Sequence, residues 1–188
     1  SRRMISFEHR HMAAIEYEVT LLDAKAPVVI VSQVNSNSTN QVNEGDPRLA
    51  KGFQGNVLQP LANFQADNRI TLIHKTRTSM LSLACGIDHS MDSECTANIE
   101  TSSSEDEGQV VFSIDGEPGK PIRLVKYICY HNSGTAPPKE LRDRVDRTLD
   151  RAVNHGFDKL LNEQQEYMDK FWYRSDVQLA VANPRAQK

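Results

Sequence analysis

Apolar and polar positions follow two different rhythms along this chain. Between Ile15 and Val19 they alternate, with Ile15, Tyr17 and Val19 on one side and Glu16 and Glu18 on the other. A period of two is the mark of a strand with one buried face. From Leu141 the spacing lengthens: Leu141, Val145, Leu149 and Ala152 recur every three or four residues and draw a single apolar stripe on a charged helix. The change falls after Asn132, so residues 1–134 read as a β-domain and residues 135–188 as a helical segment.

Within the first region the pattern predicts strands over Met4 to Arg10 and Ala13 to Leu22. Pro27-Val28-Val29-Ile30-Val31 is β-branched and almost wholly apolar, which predicts a strand covered on both faces. Further strands are expected over Arg69 to Lys75, Met80 to Cys85, Ala97 to Thr101, Val110 to Ile114 and Ile122 to Tyr130. Asn35 to Asp46 is rich in Asn, Ser and Gly and reads as a long polar loop. Ser102 to Gly108 and Asp115 to Gly119 read as hairpin connections. Many strands joined by such turns imply an antiparallel β-sandwich rather than a βαβ sheet.

In the second region Pro137-Pro138 suits a helix start and Gly156 a helix end. A second helix is expected from Asp158 through Trp172, with Leu160, Leu161, Gln164, Met168, Phe171 and Trp172 as its buried-face candidates. Two amphipathic helices at the end of a β-domain need a surface to lie on. Part of that surface is expected from another domain.

Composition narrows the function classes. A net charge of −3 and an unremarkable 25% of charged residues give no basic footprint for nucleic acid. No apolar run approaches the roughly 20 residues that span a bilayer, and the apolar stretch behind Arg2-Arg3 is too short for a signal peptide. Cys85, Cys95 and Cys129 form no C-x-x-C pair, and an odd count argues against a secreted disulfide scaffold. A reduced cytoplasm is the expected compartment. Asn37-Ser38-Thr39 fits a glycosylation sequon that a cytoplasmic protein would not use.

Few constellations suggest chemistry. His9 and His11 occupy alternate positions of an expected strand and would share a face, as zinc ligands could, yet no further ligand stands at metal spacing. Hydrogen-bonded strand histidines are the expected role, and no metal is assigned. Glu105-Asp106-Glu107 falls on a hairpin tip, where solvated charge explains it; Asp88 has no partner at defined spacing. Motifs for a nucleophilic serine, a phosphate-binding loop, a dinucleotide fold or a zinc protease are missing from the sequence. No catalytic residue is assigned. Aromatic residues make up only 6%, which speaks against a module that stacks sugars, and Trp172 is the single tryptophan. Burial of that indole against another domain is the expected role.

Four blocks carry a resemblance to a known family. They are Met4 to Ile15, Leu22 to Val28, Lys75 to Ser79 with Leu83 to His89, and Gly156-Phe157 through Asp176-Val177. Each resembles part of the N-terminal β-domain, or its linker helices, in glycoside hydrolase family 65. The segment from Phe171 to Leu179, leading into Asn183 to Gln187, resembles that family's connector to its catalytic barrel.

The resemblance implies a galactose-mutarotase-like sandwich followed by two linker helices and then an (α/α)6 barrel. It implies that the parent protein cleaves α-glucosidic disaccharides such as maltose, trehalose or kojibiose, by inverting phosphorolysis to β-glucose 1-phosphate or by hydrolysis. Inorganic phosphate would be a co-substrate, and no other cofactor is expected. The general acid and phosphate pocket would lie in the barrel. This chain is therefore expected to be a non-catalytic, incomplete sandwich with Phe171, Trp172 and Asp176 at the domain interface and a tendency to self-associate. Gln164 and Met168 replace the His and Trp that relatives often carry on the linker helix. The rival readings are a stand-alone carbohydrate-binding sandwich and a mutarotase-like enzyme with a histidine and a carboxylate as acid and base.

Overall fold

The structure, a computed structural model, describes residues 1–37 and 56–177. It contains nine strands, β1 (Arg2–Ile5), β2 (Met12–Thr20), β3 (Ala26–Asn35), β4 (Leu58–Ala66), β5 (Arg69–Thr76), β6 (Ser82–Ser93), β7 (Ala97–Ser103), β8 (Glu107–Gly116) and β9 (Pro121–Ser133), then two helices, α1 (Pro138–His155) and α2 (Phe157–Ser175). All named strand pairs are antiparallel. One sheet runs β1-β2-β9-β6-β5-β4 and the other β3-β8-β7, so a six-stranded layer faces a three-stranded one. This is the expected β-sandwich followed by two helices.

Strand alternation sends each side chain of the large sheet to one of two cores. Ile70, Leu72, Ile87, Ile122 and Leu124 face the small sheet and meet Val110, Phe112 and Ile114. Their neighbours Ile73, Ala84, Val125, Tyr127 and Cys129 face the opposite way and meet Leu141, Val145, Leu149 and Ala152 of α1. The helix stripe read from the sequence is the stripe that is buried. Gly86 sits beneath it, where a Cβ would come 2.2 Å from Val145 Cγ1; its bare backbone lets the helix lie close to the sheet.

Two charged clusters tie the large sheet to the helices. Arg69 donates to Asp88 at 2.8 Å across the sheet and to Asp146 and Asp150 on α1. Glu16, buried on β2, accepts from Arg2 at 2.7 Å and from Arg123 at 2.6 Å, and both arginines also reach Asp158 at the start of α2. The Arg2 hydrogen bond, and then Arg123, hold the Glu16 carboxyl below the usual carboxylate range against its burial. The three cysteines are buried free thiols, and burial pushes Cys129 up to about 12.

Several local expectations need correction. The strand at Pro27 to Val31 is not covered on both faces: β3 is the edge of the small sheet, and Val29 and Val31 are 60% and 47% exposed. The first strand ends at Ile5, and the chain from Ser6 to His11 is a turn. β4 was not anticipated, because Pro60 and a register break at Pro60/Ala62 blur its alternation. β6 continues to Ser93, past the expected end at Cys85. The polar loop from Asn35 to Asp46 lies largely, and the stretch from Asn183 to Gln187 wholly, outside the described residues.

Candidate functional site

Gly156 divides the two helices with φ of 74°, a left-handed value that a side chain would strain. Its N–H caps α1 by donating to the Ala152 carbonyl at 3.0 Å, and α2 begins at the next residue. The first turn of α2 is anchored: Phe157 and Leu160 are buried beside Met4 and Met12. Gln164 accepts from the Phe7 backbone N–H at 2.7 Å, and Tyr167 stacks on Phe7 with ring centroids 5.5 Å apart.

Beyond that point the support ends. Every residue from Asp169 to Val177 is exposed. Phe171 and Trp172 are 47% and 54% exposed and touch each other edge to face at 5.1 Å; Tyr173 is 91% exposed. Asp176 closes the helix, its backbone N–H donating to the Trp172 carbonyl at 2.8 Å. The three residues expected at a domain interface thus lie at one helix end, and among the described residues neither hydrophobic core includes them. Tyr167, Tyr173 and Val177 are also exposed along this stretch, and the sequence analysis does not single them out; the i, i+4 spacing of Tyr167 and Phe171 is the available signal for the first.

The other candidates are tied up. Asp88 is not at a strand end but inside β6, paired with Arg69. Asp106, at the hairpin tip between β7 and β8, lies 3.0 Å from His74 Nε2, which also meets Ser36 Oγ at 2.7 Å. Both contacts use the same imidazole nitrogen, so the trio cannot relay a proton from serine through histidine to carboxylate. His89 is buried, bonded to the Asn68 carbonyl and to Ser32 Oγ, and burial pushes it down to about 4. His131 meets Thr148 Oγ1 at 2.8 Å and is pushed down to about 4, first by burial and then by His11. His9 and His11 do not share a strand face: His9 meets Glu163, and His11 meets His131.

A separate groove opens where the small sheet fails to cover the large one. Ile15, Tyr17, Val19, Val28, Val31 and Leu124 line this largely apolar cleft of about 530 Å³. Among the described residues no helix is long and apolar enough to cross a membrane.

The six-stranded sheet facing a three-stranded one, followed by a helix pair, defines an antiparallel β-sandwich domain with two C-terminal helices. The family model of the N-terminal domain of glycosyl hydrolase family 65 matches residues 1–171, and the chain belongs to that family. An uncharacterized glycosyl hydrolase of Mycobacterium leprae is 31% identical over the whole chain, which covers 24% of that protein. The alpha,alpha-trehalose phosphorylase of Thermoanaerobacter brockii is 26% identical over 94% of the chain, which covers 23% of it. A solved structure named "Putative kojibiose phosphorylase from human microbiome" superposes with a TM-score of 0.74 over 90% of the chain and 21% of its own, at 16% identity, and shows the shared fold. The chain spans about a quarter of the length of the relatives it matches.

Proposed function

We propose that this chain is the non-catalytic N-terminal β-sandwich and helical linker of an enzyme that splits α-glucosidic disaccharides, and that it carries the catalytic portion on the exposed end of α2. The observation that carries this reading is the exposure of Phe171, Trp172 and Tyr173 at the end of a helix whose buried residues, Phe157 and Leu160, lie in its first turn. Fully covering one such side chain contributes up to about 1.5–3 kcal/mol, which favours docking of a domain over them.

Trehalose and kojibiose are the favoured substrates, because relatives bear those names, with inorganic phosphate as the second substrate and water as the alternative acceptor. Maltose follows from the family resemblance. The reaction needs a general acid and an attacking group on opposite sides of a sugar in an open cleft. Among the described residues, Glu16, Asp88 and Asp106 all have cationic or imidazole partners that make them poor candidates. The family resemblance implies that the acid and the phosphate pocket lie in an (α/α)6 barrel. Three buried thiols suit a reducing cytoplasm. The open edge of β3 and the groove beside it favour self-association as a second use of the surface.

The test is turnover. The chain, verified by intact mass, is expected to release no glucose or glucose 1-phosphate from trehalose, kojibiose or maltose, with or without phosphate. Adding the catalytic portion of the parent enzyme should restore activity. Turnover by the chain alone would overturn the reading.

A further inference from the structure

Two histidines that stand two positions apart in sequence separate in the fold. His11 has φ of 75°, and its ring lies 4.7 Å from that of His131. His9 meets different neighbours. Its Nε2 lies 2.7 Å from Glu163 Oε2 on α2, and its ring stands edge-on, 5.1 Å from His155 at the end of α1. One ligating atom from each of His9, His155 and Glu163 lies within 4.8 Å of the others.

We propose that His9, His155 and Glu163 form a zinc site that pins the β1–β2 turn to the corner between the two helices. Two imidazoles and a carboxylate are a borderline donor set that suits Zn²⁺. His155 Nδ1 donates to the Arg151 carbonyl at 2.9 Å, which fixes the tautomer and leaves Nε2 as the ligating nitrogen. That residue closes α1, where the helix dipole favours a cation. A cavity of about 260 Å³ lined by His9 and His155 has room for water as a fourth ligand.

Tetrahedral zinc with bonds of about 2.0–2.1 Å places its ligands about 3.3 Å apart, so the 2.7 Å His9–Glu163 contact must open slightly while His155 closes on the pair. All three are only half-buried and can rotate to do so. Most nearby charges oppose the ion. Lys159 Nζ lies 3.9 Å from the other Glu163 oxygen, and Arg10 and Arg151 line the cavity, with Glu8 on the same wall as a partial offset. The site is accordingly weaker than a closed structural zinc site. Its ligands come from three separate elements, so a bound ion would staple the anchored end of α2 and steady the exposed end beyond it.

The test is calorimetric titration of zinc into the metal-free 188-residue chain, with cobalt as a spectroscopic substitute. One equivalent should bind, cobalt should show four-coordinate visible bands, and zinc should raise the melting temperature. His155→Ala and Glu163→Gln should each weaken binding by at least about tenfold, while His11→Ala leaves it unchanged. Glu163→Gln preserves side-chain shape and His155 sits at a half-exposed helix end, so helical circular dichroism should be retained in both. Absence of saturable zinc binding would overturn the proposal. So would wild-type affinity in both ligand variants, or binding that follows His11 instead.

Discussion

The two helices of this domain share an amphipathic design and meet opposite fates. In α1 the stripe of Leu141, Val145, Leu149 and Ala152 is sealed against the large sheet, over a glycine that lets the backbones approach. In α2 only the first turn is sealed, and the aromatic residues of its last turns stand in water. A helix gains most of its stability in a protein from packing of its apolar face. One helix finds that packing inside its own domain; among the described residues the last turns of the other do not. On the proposed reading, the difference marks where this domain stops being a folding unit and becomes an interface.

The contrast can be broken most forcefully at α1. Leu149→Ala should cost about 2–5 kcal/mol, because it leaves a cavity that a rigid sheet cannot fill; the urea midpoint would report it. Gly86→Ala drives a methyl into Val145 and Leu149 and should cost about 1–3 kcal/mol by the same assay. Near-normal stability in both variants would mean that the helix does not pack as described.

Acidity should weaken the packed part of the domain, between the sheets and beneath both helices. His89 and His131 titrate at about 4 in the folded chain and at about 6.5 when unfolded. Their folded values are depressed, so the unfolded chain binds more protons between those limits. The stability they contribute is fully present above pH ~6.5 and is lost as pH falls towards ~4. The lowered Glu16 carboxyl acts in the same direction. Melting temperature against pH should fall through this window with net proton uptake on unfolding. A flat profile would contradict burial as the cause.

The smallest effect is expected at the far end of α2. Trp172→Ala and Tyr173→Ser should change stability by no more than about 0.5 kcal/mol, as for exposed positions generally. The same variants should lose association with the catalytic portion. A large stability loss would show that the helix end packs within this domain after all.

Much of this division was legible in the sequence, and the failures have physical causes. The α1 stripe, the Gly156 break and the later strands follow from periodicity and turn chemistry, which are local properties. The edge position of β3 was not legible, because Val28 to Val31 has the same β-branched run whether a second layer covers it or not. β4 hid behind Pro60, which an edge strand tolerates and a central strand does not. At the candidate interface Phe171, Trp172 and Asp176 were read from a family resemblance, and Tyr173 was overlooked. The His9, His155 and Glu163 group joins positions more than 140 residues apart, and no sequence spacing could reveal it.

The most direct test of the central claim uses the single tryptophan. With 5-fluorotryptophan in this chain alone, Trp172 gives one fluorine resonance whose solvent exposure can be followed as the unlabelled catalytic portion is added. The account predicts an exposed indole in the isolated domain that becomes protected at one equivalent, in step with the return of disaccharide cleavage. A resonance that stays exposed in the active complex would contradict it.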